Sequence, residues 1–178
     1  QVPGPPEKWV AVIPSTITCG ETFSLKIKAE DIWGNPTNQA VKKIIPKTNQ
    51  PIKNLPEFIN IKEGDFATVV SGLMVNSAGA LEIKLHSSDG SLVATCNPSK
   101  VFNSSILKNY WGDLHGQSEE TLGTNSATDY FAFGRDLAFL DACAHQGNDF
   151  QMTDTFWKDL NKITAVSYTH LTLPTIPG

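Results

Sequence analysis

Cysteine is scarce in this 178-residue chain: Cys19, Cys96 and Cys143 are too few and too widely spaced for a disulfide framework or a zinc knuckle. A Cys19 to Cys96 bridge stays open, although buried free thiols commonly act as small apolar fillers. Long apolar runs are also missing. Nothing approaches the roughly 18 residues that would cross a bilayer, and no basic stretch precedes an apolar one as in a signal peptide. The chain opens on Gln1 rather than Met, which leaves a removed leader, an absent upstream segment and export all open, and the compartment undetermined. Charge is sparse as well, at 18% of residues against a usual quarter. With a formal net charge of −4 and both signs interspersed, no basic stripe is available for phosphates, so nucleic acid and anionic membrane surfaces are disfavoured partners.

What is present is a hydrophobic fraction of 40%, enough for one ordinary core or two modest ones. Phe23, Leu25, Ile27 and Ala29 alternate with Ser24, Lys26, Lys28 and Glu30, the period of a half-buried strand. The segment Asp31-Ile32-Trp33-Gly34-Asn35-Pro36 is rich in residues that tolerate turns. Leu81, Ile83 and Leu85 repeat the alternation, Asp89-Gly90 turns the chain, and Leu92 to Cys96 makes the returning arm of a hairpin. Trp9 to Ile13 and Phe66 to Val75 add further β-type runs, so the first hundred residues read as an antiparallel sandwich.

After Asn97-Pro98 the pattern becomes strand, helix, strand, helix, which predicts an α/β segment with a parallel sheet. Asn125 or Ser126 can cap a helix bearing Ala127, Tyr130, Phe131, Gly134, Leu137 and Ala138; Phe139 to Ala144 reads as a short buried strand. Thr153 can cap a second helix bearing Phe156, Trp157, Leu160 and Ile163. A parallel sheet this small leaves apolar faces uncovered, so further units would be expected. Val166 to Thr175 resembles a translated sequencing-adaptor tail found at the ends of truncated gene fragments, the alternative being a Thr-rich strand; His170 is accordingly not counted as a ligand. The expected division is a β sandwich over 1–103, an α/β fragment over 104–165 and a non-native tail over 166–178.

The richest chemistry lies in Tyr110-Trp111-Gly112-Asp113-Leu114-His115-Gly116-Gln117-Ser118. On a regular strand the period of two sends Asp113, His115 and Gln117 to one face, where imidazole and carboxylate would suit a divalent transition metal. The amide oxygen of Gln117 is a harder ligand that shifts preference from zinc toward manganese or magnesium. The alternative is a hydrogen-bonded structural histidine. The second strand leads into His145-Gln146-Gly147-Asn148-Asp149, which adds His145 and Asp149 on the same expected rim. Cys143 reads as a core residue rather than a nucleophile, and Glu119 and Glu120 as solvated loop carboxylates.

The runs YWGDLHGQS and DYFAFGRDLAFLDACAHQGNDF resemble the start of a PHP-like (polymerase and histidinol phosphatase-like) family whose function is unassigned. GETFSLKIKAEDIWGNPT resembles the immunoglobulin-like β domain that precedes it. The resemblance implies the opening βαβα portion of a distorted β/α barrel that binds two or three metal ions and hydrolyses phosphoester-type bonds. His115 falls on the first histidine of the family's paired motif, Gln117 where the second usually stands, and Gly147-Asn148 where an Asp-His pair is usual. His145 and Asp149 could then serve only by a shifted geometry, with Asp113 as a ligand or as an orienter of His115. The resulting expectation is a fragment, itself inactive, of a metal-dependent hydrolase acting on an unidentified small-molecule or polymer substrate. The other reading is a non-catalytic binding protein with a degenerate metal site, whose β domain recognises a polymer or protein partner.

Overall fold

Alternation of buried and less buried residues is cleanest in the segments Thr22–Glu30 and Ile83–Ser87, both of which form strands. In the computed structural model, which describes residues 2–104 and 107–168, the chain divides into two compact units, Gln1–Asn109 and Tyr110–Gly178. The first contains β1 (Lys8–Val12), β2 (Thr16–Thr18), β3 (Thr22–Glu30), β4 (Pro36–Thr37), β5 (Lys42–Thr48) and β6 (Ile59–Ile61). It continues with β7 (Ala67–Met74), β8 (Gly79–Leu81), β9 (Ile83–Ser87), β10 (Leu92–Thr95) and β11 (Ser99–Phe102).

Strand β3 is the hub of one sheet. Lys26 to Lys28 pair with β1 on one edge and β7 on the other, and Ala29 and Glu30 pair with both β1 and β4, so β7 and β4 share an edge in succession. A second antiparallel sheet runs in the order β10, β9, β5, β6. A third, small and mixed, places β2 parallel and β8 antiparallel to β11. Phe23, Leu25, Ile27 and Ala29 of β3 are buried, and Ile83 and Leu85 of β9 with Ile44 of β5 meet them in one apolar cluster. Residues from the two larger sheets therefore fill a single core, as in a β sandwich.

The second unit is built from β12 (Gly112–Gly116), α1 (Ala127–Ala132), β13 (Ala142–His145) and α2 (Asp154–Tyr168). Ser126 caps α1, its hydroxyl accepting from the Asp129 N–H at 3.1 Å, and the helix widens into a π-helical turn over Phe133–Leu137. The Thr153 hydroxyl accepts from the Phe156 N–H at 3.1 Å at the start of α2. Strands β12 and β13 form a two-stranded parallel ladder. Ala127, Phe131 and Leu160 make a small core, backed by Tyr130, Cys143, Met152, Phe156 and Ile163.

The expected fold class needs correction. The described chain is mainly β, with two short helices, and the second unit is no wall of a distorted β/α barrel: two strands cannot supply the tilt and closure that a barrel of about eight requires. Helix α2 carries Val166, Ser167 and Tyr168 as its last residues, and the rest of the expected tail, His170 included, lies outside the described residues. Cys19, Cys96 and Cys143 are free thiols, and burial pushes that of Cys96 up to about 12.

Leu25 and Ile83, each fully buried, hold the two large sheets together. Leu25→Ala and Ile83→Ala should each destabilise the chain by about 2–5 kcal/mol in urea denaturation followed by near-ultraviolet circular dichroism. A loss under about 1 kcal/mol in both would show that the sheets do not share this core.

Candidate functional site

The residues singled out on β12 and β13 occupy a short ladder with an irregular register. Asp113 pairs with Cys143 and Gly116 with His145, so three steps along β12 match two along β13. The register is thus irregular between Asp113 and Gly116, and an extra residue on one strand of a ladder disturbs the alternation beyond it. Regular pairing therefore does not run unbroken from Asp113 to Gln117, which lies beyond the strand. The Asp113 carboxylate turns back to accept the His115 N–H at 2.9 Å, and the His115 side chain is exposed. Gln117 lies beyond the strand, its carbonyl oxygen accepting from the Thr121 hydroxyl at 3.3 Å. Asp149 is exposed and opens a 3-10 turn over Asp149–Gln151.

His145 is the centre of the better-connected group. Its Nε2 lies 2.8 Å from the hydroxyl of Ser118, a fully buried residue, while its Nδ1 is buried with no hydrogen-bond partner among the described residues. Tyr130 and Phe156 meet the imidazole edge-on, with ring centroids at 6.3 and 5.7 Å. Tyr130 is tied in turn, its hydroxyl donating to the Ala144 carbonyl at 3.2 Å. Gly116 makes room for this ring, since a Cβ there would collide with it. Burial and the nearby charges of Asp113 and Cys143 push the Tyr130 phenol up to about 12.

Burial also lowers the His145 pKa, against an opposing pull from the Glu120 carboxylate. Burial works to raise Glu120, yet the Ser118 hydroxyl and backbone N–H groups, with the charged form of His145, hold it below its ordinary value. Glu120 is exposed, as the sequence suggested, and hydrogen-bonds to Ser118. Glu120 bonds to the serine, and among the described residues no carboxylate meets the Nδ1 of His145 as in a hydrolytic triad.

These contacts overturn the metal-dependent hydrolase reading. Among the described residues, no three His, Cys, Asp or Glu side chains are gathered where one ion could be held. Oδ1 of Asp113 accepts from the His115 N–H, the Gln117 carbonyl oxygen from Thr121, and Nε2 of His145 faces Ser118, so these donors point to separate local partners.

A second arrangement, in the first unit, was visible in the sequence only as a turn. Asp31 follows β3 and is buried. Its Oδ1 accepts the N–H groups of Trp33 and Asn35, both at 2.9 Å, its Oδ2 accepts the Gly4 N–H at 3.2 Å, and the Asn35 amide donates to both oxygens. Burial alone would raise this carboxyl, but the hydrogen bonds from Asn35, Gly4 and Trp33 together hold it below the usual range. The backbone closes through the Gly34 N–H to the Asp31 carbonyl, with Gly34 at φ 82°, where a side chain would be strained. At the tip, Ile32 and Trp33 stand 74% and 84% exposed. The available signal was an Asp followed by Gly and Asn within four residues, which is an Asx-turn pattern; the outward direction of the indole was not encoded there.

No family model matches the chain, which corrects the PHP-like resemblance. A curated, uncharacterised protein of Chlamydia pneumoniae is 26% identical over 159 residues, a match taking in 85% of this chain, more than either unit alone supplies. The chain spans about a quarter of that protein's length. Among solved structures, the D00-D0 domain of intimin is 11% identical with a TM-score of 0.41, covering 58% of this chain and 50% of its own. A CARDB domain from Pyrococcus furiosus, solved in complex with di-metal ions, is 9% identical with a TM-score of 0.37, covering 57% of this chain and 93% of its own. Among the described residues, no helix is long and apolar enough to cross a membrane.

Two expectations follow for the His145 group. Ser118→Ala should cost about 1–3 kcal/mol in urea denaturation, because it strips the imidazole of its one partner, and a neutral effect would show the bond to be dispensable. Because the folded-state pKa of His145 lies below the ordinary 6.5, the unfolded chain takes up that proton first. Its contribution is therefore complete above that value and is lost as the pH falls through the folded pKa. Thermal melts of His145→Gln should lose part of the decline in stability between neutral and mildly acidic pH; an unchanged slope would remove His145 from its cause.

Proposed function

We propose that the chain is a non-catalytic binding module whose first unit recognises a protein partner through the turn Asp31–Asn35. One observation carries this reading: the Asp31 carboxylate fixes the turn while Ile32 and Trp33 project into solvent. A large exposed apolar pair gains nothing for the fold, since neither side chain is removed from water. Trp is enriched among the few residues that dominate binding energies at protein interfaces, where a flat indole fills a partner's pocket. A turn already ordered by hydrogen bonds loses little conformational entropy on binding, which raises affinity for a given contact area. The position also suits the role, because loops at the end of a β framework are held in place without contributing to its core.

The partner would present an apolar pocket flanked by groups able to meet the indole N–H. Selection of a displayed random-peptide library on the immobilised full chain, followed by binding to variants, tests this. Enriched peptides should lose about tenfold or more in affinity toward Trp33→Ala, with a smaller loss for Ile32→Ser, at unchanged melting temperature. Asp31→Ala should also weaken them by releasing the turn. Peptides that bind Trp33→Ala as tightly as the unaltered chain, or a library that yields none, would overturn the assignment.

A further inference from the structure

Near the start of α1 a cavity of about 300 Å³ is lined by Gln117, Thr124, Asn125, Asp129, Tyr130 and Phe133, all within the second unit. Its polar groups are those that the local fold leaves unused. The Thr124 hydroxyl and the Asn125 carboxamide are exposed and make no hydrogen bond among the described residues. Gln117 commits its carbonyl oxygen to Thr121, which leaves its NH₂ group, and Asp129 commits Oδ2 to the Ser126 hydroxyl at 2.7 Å, which leaves Oδ1. The walls are partly aromatic. Phe133 is 48% exposed, and the Tyr130 ring is fixed by its hydroxyl's bond to the Ala144 carbonyl.

We propose that this cavity binds a single neutral sugar ring. A hydroxyl-rich ring needs donors and acceptors close together, which two carboxamides, a hydroxyl and a carboxylate oxygen supply. It also offers an apolar C–H face, which packs on an aromatic ring such as Phe133. The volume stands at the lower end of the range for small-molecule sites and fits one ring rather than an extended chain. Charge removes the anionic alternatives: residues 110–178 carry nine acidic side chains against three basic ones, and Asp129 itself lines the cavity. This site is independent of the Ile32–Trp33 turn, which belongs to the other unit.

Saturation-transfer NMR on the full chain with glucose, galactose, mannose and N-acetylglucosamine, each at millimolar concentration, gives the test. At least one sugar should show transfer, stronger at its ring C–H protons. Asn125→Ala, Asp129→Asn and Phe133→Ala should each weaken its affinity by about tenfold. Thr124→Ala and Asn125→Ala alter exposed side chains that support no internal hydrogen bond, so they preserve the fold if the other two variants do not, and weakened binding in either sustains the site. Transfer to none of the four sugars would overturn the proposal. So would transfer that survives both loop substitutions, or competition by inorganic phosphate or arginine at equal concentration.

Discussion

The structure of the first unit depends on the period-two alternation of β3. Four side chains of this strand, Phe23, Leu25, Ile27 and Ala29, enter the core, and its backbone edges are occupied by β1 on one side and by β7 and β4 on the other. A slip of one residue would expose all four at once, which makes the register unusually well specified. The core partners Ile44, Ile83 and Leu85 depend on the same register. So does Asp31, because the residue after the last paired position is placed by the strand that delivers it. The exposed tip at Trp33 is in this sense a consequence of the core.

The second unit is organised by a departure from alternation. An irregular register in β12 separates the Asp113 pairing from that of Gly116. His145 is half-buried between Tyr130, Phe156 and Ser118, its imidazole packed edge-on against both rings and hydrogen-bonded to the serine. With Ser118 bonded to Nε2 of His145 and Glu120 bonded to Ser118, the cluster can hold the strand end to the loop that precedes α1. Its Nδ1 remains a buried polar atom without a partner among the described residues, and the lowered pKa of the ring reflects the cost of charging it there.

The two units differ in what they can contribute to recognition. The first has a large common core and presents a rigid apolar tip; the second has a small core and an acidic surface with a cavity of polar groups and one exposed ring. Peptide-like and sugar-like ligands place different demands on a protein surface, one favouring a protruding anchor and the other a shallow, hydrogen-bonding recess. The similarity to the Chlamydia pneumoniae protein extends over both units.

By itself the sequence determined the strands whose faces differ in polarity. Alternation at Phe23 to Glu30 and at Leu81 to His86, the Asp89-Gly90 turn and the caps at Ser126 and Thr153 are local patterns, written in residues that touch or nearly touch along the chain. The barrel was expected from a family resemblance that reached beyond such local order, and it is that expectation which needed correction. The irregular register from Asp113 to Gly116 lies in the pairing of β12 with β13, not in β12 alone. Ser118, Glu120 and Tyr130 meet His145 across 15 to 27 positions of chain, and no pattern in any one segment announces that meeting. Asp31 shows the same division: its turn is a short-range motif, while its bond to Gly4 spans 27 residues. Which way a side chain faces at such places is fixed by the partners that the fold brings to it, so it was decided only by the tertiary structure.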